Sequence, residues 1–213
     1  MTHIHSVIVS YERPELTEQA ILSYLDTVSI SHELIVVDNG SSHETVERLS
    51  QIDADFQLQL LGENRYPGYA TNRGWEMMSS ETTLLHRGDN DFSYLPGWCE
   101  EVLLRFEKKD VGQVGLRTKK EELGANWNVG GNNVIRRKLW DEGLRYDERP
   151  WGDYPIGWTE DSLFSPEVKR MGYRWVRVKK NCIVSLASGD WSDPYYERSY
   201  SIRGIEKKEE EEA

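Results

Sequence analysis

The chain has 213 residues, a length that suits one large globular domain or at most two small ones. Hydrophobic residues make up 38% and aromatic residues 11% of the sequence, which is typical of a folded core and excludes a disordered chain. Lys and Arg number 26 against 37 Asp and Glu, and the formal charge of −11 argues against a broad surface for nucleic acid or anionic membranes. An anionic ligand would therefore need a local device, such as a bound metal ion.

The sequence contains no apolar run of about 18 residues, the length that a membrane-spanning helix needs. Its start, Met1 to His5, lacks the basic and apolar regions of a signal peptide, so we expect a cytoplasmic protein. Cys99 and Cys182 have no CxxC spacing and predict neither a disulfide framework nor a zinc site. Because no linker interrupts residues 1–205, we predict one domain there, followed by a disordered acidic tail at residues 206–213.

The first half of the chain alternates strand and helix patterns. Short β-branched runs predict strands at 6–10, 33–37, 56–61 and 82–86, and helical spacing predicts helices from Pro14 and at 44–52 and 69–78. In the second half the patterns predict helices at 97–108 and 159–171 and strands at 111–116, 132–135 and 173–178. This order predicts an α/β fold with one mostly parallel sheet flanked by helices, which the second half extends.

Polar loops follow three of the predicted strands, at residues 11–13, 38–41 and 88–91. Ligands of parallel sheets bind beyond the carboxyl ends of the strands, so these loops are the candidate site. Asp89 and Asp91 lie two residues apart directly after a strand, and such carboxylates suit Mg²⁺ or Mn²⁺, which takes further ligands from water and a substrate diphosphate. The alternative for an isolated Asp-x-Asp pair is a turn without a ligand.

Six blocks in order along the chain resemble a family-2 glycosyltransferase with the GT-A fold. The blocks are 6–11, 35–41, 64–74, the Asp-x-Asp pair with Pro96-Gly97-Trp98, Gly130-Gly131-Asn132, and Thr159-Glu160-Asp161. The resemblance extends over about residues 6–178, most of the chain. It implies a single GT-A domain that takes a nucleotide-diphosphate sugar as its donor.

The resemblance also implies which residues bind the nucleotide. Expected around the base, ribose and diphosphate are Ser10, Tyr11, Glu12, Asp38, Arg73, Asp89 and Asn90. Asp38 can accept a hydrogen bond from a base N–H or a ribose hydroxyl, and a turn-forming Asp is its equally plausible alternative. For Arg73 the alternative is a solvated arginine on a helix.

Asp89 and Asp91 are the implied metal and diphosphate end of the site, with Asp91 the expected direct ligand of Mn²⁺ or Mg²⁺. Many members of the family have a further His ligand near the last strand, where this sequence has Ser185. The departure leaves three alternatives open: a water ligand, a shifted ligand such as Asp190, or weaker metal dependence.

Thr159 is the predicted N-cap of a helix whose first turn contains Glu160 and Asp161. Acidic residues in a first turn also complement the helix dipole without any catalytic role. In the family the second acid of the pair is the catalytic base, so the resemblance implies that Asp161 takes the proton of the acceptor hydroxyl.

Tryptophans in or beside the loops that flank this region, Trp127, Trp151 and Trp158, are candidates for stacking on sugar rings, although core packing is the commoner use of an aromatic residue.

We therefore interpret the chain as an inverting glycosyltransferase that uses a metal-bound nucleotide-diphosphate sugar, with uridine favoured over guanosine or thymidine. The acceptor is left open between a saccharide, a lipid-linked sugar, a protein side chain, a small metabolite and a modified nucleic-acid base. One alternative is a non-catalytic protein that binds nucleotide-sugar or carbohydrate. A sugar-1-phosphate nucleotidyltransferase ranks lower, because its Gly-rich, Arg-containing loop is missing at residues 10–14.

Overall fold

The computed structural model describes residues 2–117, 128–187 and 192–206. Its strands are β1 (His3–Ser10), β2 (Ser31–Asp38), β3 (Gln57–Leu60), β4 (Leu84–Asp89), β5 (Phe92–Tyr94), β6 (Val111–Gly115), β7 (Asn133–Arg136), β8 (Arg174–Arg177) and β9 (Ile183–Ser185). Its helices are α1 (Pro14–Thr27), α2 (His43–Ser50), α3 (Tyr66–Trp75), α4 (Trp98–Phe106), α5 (Arg137–Asp141), α6 (Glu160–Arg170) and α7 (Pro194–Ile202), with a 3₁₀ turn at Trp151–Asp153. Trp127, Asp190 and the tail from residue 207 lie outside the described residues.

The central sheet has seven strands in the order β3-β2-β1-β4-β7-β6-β8. Strands β1 to β4 run parallel to one another, as do β6 and β8. Strand β7 is antiparallel to both of its neighbours, and β5 and β9 form a separate antiparallel pair. The predicted α/β fold, with a mostly parallel sheet that the second half extends, is confirmed.

Both faces of the sheet are covered by helices. Along β1, Ile4 and Ile8 face the side on which α1 and α4 pack, whereas Val7 and Val9 face the side of α3 and α6. Side chains alternate between the faces of a strand, so a strand that is buried on both sides reads as a nearly continuous apolar run. This burial explains why β1 and β2 are recognisable in the sequence.

Two glycines bring α3 close to its neighbours. A Cβ at Gly74 would lie 2.6 Å from a methyl group of Val7, so the missing side chain lets α3 approach the sheet. A Cβ at Gly68 would lie 2.1 Å from the carbonyl oxygen of Asp147 and 3.2 Å from the Cβ of Glu160. The first turns of α3 and α6 therefore meet at the carboxyl edge of the sheet. Within the described ranges, no helix is long and apolar enough to cross a membrane.

Candidate active site

A cleft of about 630 Å³ opens at the carboxyl ends of the parallel strands. Of the residues predicted from the sequence, Tyr11, Asp89, Asn90, Asp91, Trp151 and Asp161 line it, whereas Trp158 is not among its described lining residues. The cleft is therefore built where loops after β1 and β4 meet the start of α6, and helix α7 supplies another part of its wall.

Asp89 ends β4 and is held by the loop that precedes β7. Its carboxylate accepts hydrogen bonds from the Asn132 amide at 3.0 Å and from Arg87 at 3.4 Å, and its own N–H donates to Asn132 Oδ1 at 3.1 Å. A Cβ at Gly131 would lie 2.6 Å from Asp89 Oδ2, so this loop can approach only because it carries a glycine there. Burial raises the pKa of Asp89 to about 6, with Arg87 opposing and Asp91 adding to the rise.

Asp91 is covered by α7. Its carboxylate accepts hydrogen bonds from the Tyr196 hydroxyl at 2.7 Å and from Arg13 Nη1 at 3.3 Å. The Arg13 guanidinium also pairs with Asp193 at 2.7 Å and lies 4.7 Å from the centre of the Tyr195 ring. Arg13 therefore compensates the charge of Asp91 and connects the loop after β1 to α7.

The pair Asp89 and Asp91 fits part of a metal site. Mg²⁺ and Mn²⁺ prefer oxygen ligands and leave positions for water and a diphosphate, so two carboxylates can suffice from the protein. Burial is the main reason that the pKa of Asp89 is raised, and a cation bound here would favour its ionised form. The parts of the chain that the structure describes contain no group of three or more His, Cys, Asp or Glu arranged for a metal. Ser185 lines the same cleft, and its hydroxyl donates to the Ala187 carbonyl at 2.9 Å.

The two acids at the start of α6 have different surroundings. Glu160 is buried, and its carboxylate accepts hydrogen bonds from Arg87 and from the Trp151 indole N–H, each at 2.7 Å. Asp161 accepts a short hydrogen bond from the Thr159 hydroxyl. Burial raises the pKa of Asp161 and the Glu160 charge adds to the rise, while the Thr159 hydroxyl and Arg87 oppose it. Glu160 is thus fixed by a cation and an indole, whereas Asp161 is the acid with a raised proton affinity.

Helix α6 begins as the sequence predicts. Thr159 has extended backbone angles, and its N–H donates to the Ser162 hydroxyl at 3.1 Å, which is the reciprocal half of a capping box. The cap fixes the first turn of the helix, and with it the direction in which Asp161 meets the cleft.

Three predicted nucleotide contacts also have structural partners. The Ser10 hydroxyl lies 3.1 Å from that of Thr17, and Asn90 donates to the same Thr17 hydroxyl at 2.9 Å. The Glu12 carboxylate accepts from the Ser42 N–H at 2.7 Å, at the start of α2. These contacts join the loops after β1, β2 and β4, and direct nucleotide binding by Ser10, Glu12 and Asn90 stays a prediction.

Asp38 and Arg73 are not among the described residues that line the cleft. Asp38 is buried, and its Oδ2 accepts hydrogen bonds from the N–H groups of Gly40 at 3.2 Å and Ser41 at 3.1 Å, as its turn-forming alternative requires. Arg73 pairs with Glu76 at 2.8 Å and with Glu148 at 3.3 Å. Their roles in nucleotide binding stay predictions.

Two features of the site were not predicted from the sequence. Arg87 bridges Glu160 and Asp89, and a charged residue inside an apolar strand was an available signal, because a buried arginine needs a carboxylate partner. Helix α7 was missed as well, although Asp193 before Pro194 is a common start of a helix, and the Asp193 carboxylate accepts from the Tyr195 N–H at 2.9 Å.

The comparisons agree with the fold and the motif order. The model of glycosyl transferase family 2 matches residues 6–164, and the chain belongs to this family. No curated protein matches the chain at a significant level.

Solved structures with the same fold include two glycosyltransferase systems. The mannosyltransferase PcManGT from Pyrobaculum calidifontis, in complex with GDP-Man and Mn²⁺, has a TM-score of 0.69 and 16% identity, covering 86% of this chain and 56% of that chain. Residues 1–349 of S. aureus TarS have a TM-score of 0.68 and 13% identity, covering 95% of this chain and 65% of that one. The same TarS fragment with UDP has a TM-score of 0.67 and 13% identity, with coverages of 89% and 61%. The chain thus has the GT-A fold and covers 56 to 65% of the length of these solved chains, and 37% of a longer solved TarS chain.

Proposed function

We propose that this chain is an inverting glycosyltransferase that moves a sugar from a nucleotide-diphosphate donor to an acceptor hydroxyl. The observation that carries the proposal is one cleft that holds the Asp89 and Asp91 pair together with Asp161, an acid of raised pKa. UDP-sugars are the first donors to test, because the sequence resemblance favours uridine and TarS 1–349 has been solved with UDP. GDP-mannose is the second, because PcManGT was solved with it.

In the proposed reaction, Asp161 takes the proton of the acceptor hydroxyl while the acceptor oxygen forms a bond to the anomeric carbon. The bond from that carbon to the diphosphate oxygen breaks, and the nucleoside diphosphate leaves with the electron pair. Mn²⁺ or Mg²⁺, when bound, would supply positive charge to stabilise the departing diphosphate. Asp89 and Asp91 would hold that ion, and Arg87 fixes Glu160 so that the first turn of α6 keeps its position. One displacement inverts the anomeric configuration.

The second candidate is a non-catalytic protein that binds nucleotide-sugar. Two observations favour it. Arg13 and Tyr196 already donate hydrogen bonds to the Asp91 carboxylate, and Ser185 stands in place of a histidine ligand. Turnover separates the two candidates, because only the enzyme releases nucleoside diphosphate and forms a product of inverted configuration.

Titration calorimetry of UDP and GDP tests the proposal, with each nucleotide added in the presence of Mn²⁺ and again with EDTA. We expect Mn²⁺ to strengthen binding in the parent protein and in Asp55→Ala, which alters an exposed aspartate outside the cleft. Asp91→Ala should lose this dependence. Equal affinities with Mn²⁺ and EDTA in the parent would contradict the metal assignment. NMR analysis of the product should then show an inverted anomeric centre.

A further inference from the structure

The wall of the cleft beside Asp161 is aromatic. Trp151, from the 3₁₀ turn, and Tyr66, at the start of α3, both line the cleft, and their ring centres are 5.7 Å apart at an angle of 47°. The two rings meet because Gly68 lets the first turn of α3 pack against that of α6. We call this pair the aromatic wall.

Trp151 has a fixed position relative to Asp161. Its indole N–H donates to Glu160 Oε2 at 2.7 Å, and Glu160 is the residue before Asp161 in the chain. The Arg203 guanidinium lies over the Trp151 ring, 6.0 Å from its centre. The polar edge of the indole is therefore satisfied within the protein, and the Trp151 side chain lines the same cleft as Asp161.

Tyr66 is held in a strained backbone conformation. Its φ of +65° lies in the left-handed region, which a residue with a large side chain rarely adopts. The conformation is held in place because Asn64 Oδ1 accepts the Tyr66 N–H at 3.0 Å and Asn39 Oδ1 accepts the Arg65 N–H at 2.9 Å. A glycine would take this backbone without strain, so an aromatic ring at this position points to a use for the ring.

We propose that the aromatic wall is the acceptor subsite and that the acceptor is a saccharide. The inference rests on the proposed function, because the acceptor hydroxyl must come within hydrogen-bonding reach of Asp161. A pyranose presents C–H groups on its faces and hydroxyls at its edge. The face of Trp151 matches the former, and the carboxylate of Asp161 and the guanidinium of Arg203 match the latter.

The test measures binding of methyl glycosides of glucose, galactose, mannose and N-acetylglucosamine by saturation-transfer NMR, with UDP and Mn²⁺ present. The variants are Trp151→Leu, Trp151→Phe and Tyr66→Gly, with Trp175→Leu, on the edge strand β8 and outside the cleft, as the matched control. We expect at least one glycoside to bind the parent and the control. Trp151→Leu should weaken that binding at least tenfold, and Trp151→Phe should weaken it less because it keeps an aromatic face.

Tyr66→Gly distinguishes a role of the Tyr66 ring in glycoside binding from a role in stability. Glycine relieves the left-handed backbone, so the midpoint of thermal unfolding should not fall, while glycoside binding should weaken severalfold. Calorimetry of UDP with Mn²⁺ should give the parent affinity in all of these variants. UDP binding therefore tests the proposed function, and glycoside binding tests the subsite. Failure of UDP to bind the parent protein would contradict the proposed function alone.

Four outcomes would overturn the saccharide subsite. In the first, no glycoside binds the parent although UDP does. In the second, Trp151→Leu binds the glycosides as the parent does. In the third, the variants of the aromatic wall lose UDP affinity in proportion to glycoside affinity, which would assign the wall to the donor. A serine- and threonine-containing peptide that binds the parent and fails to bind Trp151→Leu would assign the wall to a protein acceptor instead.

Discussion

The Tyr196 hydroxyl donates a hydrogen bond to the Asp91 carboxylate across 2.7 Å, and this contact joins α7 to the loop after β4. Arg13 approaches the same carboxylate oxygen at 3.3 Å. A cation that binds Asp91 must therefore share this carboxylate with a hydroxyl and a guanidinium, or displace them. The position of α7 and the occupancy of the proposed metal site are coupled through this single side chain.

Tyr196→Phe removes the competing hydroxyl and keeps the ring. A hydrogen bond to a charged group contributes about 1.5 to 3 kcal/mol, so we expect Mn²⁺ to bind the UDP-loaded variant roughly 10- to 150-fold more tightly than the parent. Titration of Mn²⁺ by calorimetry measures the change. Tyr195→Phe, which alters the adjacent ring of α7, is the control and should leave the affinity as it is. Unchanged or weaker Mn²⁺ binding in Tyr196→Phe would contradict the competition.

Asp161→Asn should lower kcat by roughly 10² to 10⁴-fold and leave donor binding nearly intact, because the proton moves only in the transition state. Asparagine keeps the size of the side chain but cannot accept the proton. Nucleotide release from the donor is the assay while the acceptor is unidentified. Asp153→Asn, an exposed acid of the 3₁₀ turn, is the matched control and should turn over like the parent. A folded Asp161→Asn protein with parent activity on the acceptor would exclude Asp161 as the base.

The acid limb of the profile of kcat/KM against pH should reflect the protonation of Asp161. Burial and the Glu160 charge raise the pKa of Asp161 from its ordinary 3.8, so kcat/KM should fall as pH decreases through a value above 3.8, where Asp161 becomes protonated. In Glu160→Gln the neighbouring charge is absent, and this limb should move to lower pH. The measurement is kcat/KM from pH 4 to 8 on protein verified as folded. A limb that stays in place in Glu160→Gln would contradict this electrostatic coupling.

The ion pair of Arg87 and Glu160 should dominate local stability. Both side chains are only 3% exposed, and removal of one partner leaves a buried charge uncompensated. We expect Arg87→Met to lower the free energy of unfolding by about 3 to 5 kcal/mol, and the double variant with Glu160→Met to recover part of that loss. Urea denaturation measures both.

The matched control for this pair is Arg48→Met, which breaks the exposed pair with Glu15 and should cost about 0 to 1 kcal/mol. If Arg87→Met costs no more than Arg48→Met, the buried pair does not have the stabilising role that its burial indicates.

Substitutions of Asp38 distinguish a role in nucleotide binding from a purely structural role in the turn after β2. If it contacts the base or ribose, Asp38→Ala should raise KM for the donor by the equivalent of about 1 to 3 kcal/mol and leave kcat unchanged, since such a contact is the same in ground and transition states. Asp38→Asn is the comparison, because its amide oxygen can still accept from Gly40 and Ser41. If Asp38→Ala has a normal KM for the donor and a lower midpoint of unfolding, Asp38 stabilises the turn and does not bind the donor.

The order of strands and helices was predictable because buried elements have recognisable patterns of apolar residues in the sequence. Strands that are covered on both faces are continuous apolar runs. Pro14 is the first residue of α1, and Thr159 is the N-cap that directly precedes α6. Boundaries were less accurate where pairing extends a strand beyond its apolar residues. Strand β4 was predicted to end at His86, but its pairing with β1 continues to Asp89.

Long-range contacts explain what the sequence did not predict. A β-branched run predicts a strand but not its direction, so the reversal of β7, which brings Asn132 to Asp89, could not be read from residues 132–135. The contacts of α7 depend on residues far away in the chain, Arg13 and Asp91, which no local pattern joins to Tyr196. The roles of Asp38, Arg73 and Asp161 stay predictions because they depend on ligands.

The reversed strand also gives the fold a natural insertion point. The N–H of Leu116, just after β6, donates to the carbonyl of Asn132, just before β7, at 3.1 Å, so the connection between these strands leaves and re-enters the sheet at one place. Doubling the length of such a connection costs only about 0.6 kcal/mol in chain entropy. The anchor of this connection, the contact between Leu116 and Asn132, is therefore also what keeps the Asn132 amide in place against the Asp89 carboxylate, whatever the length of the segment between the two strands.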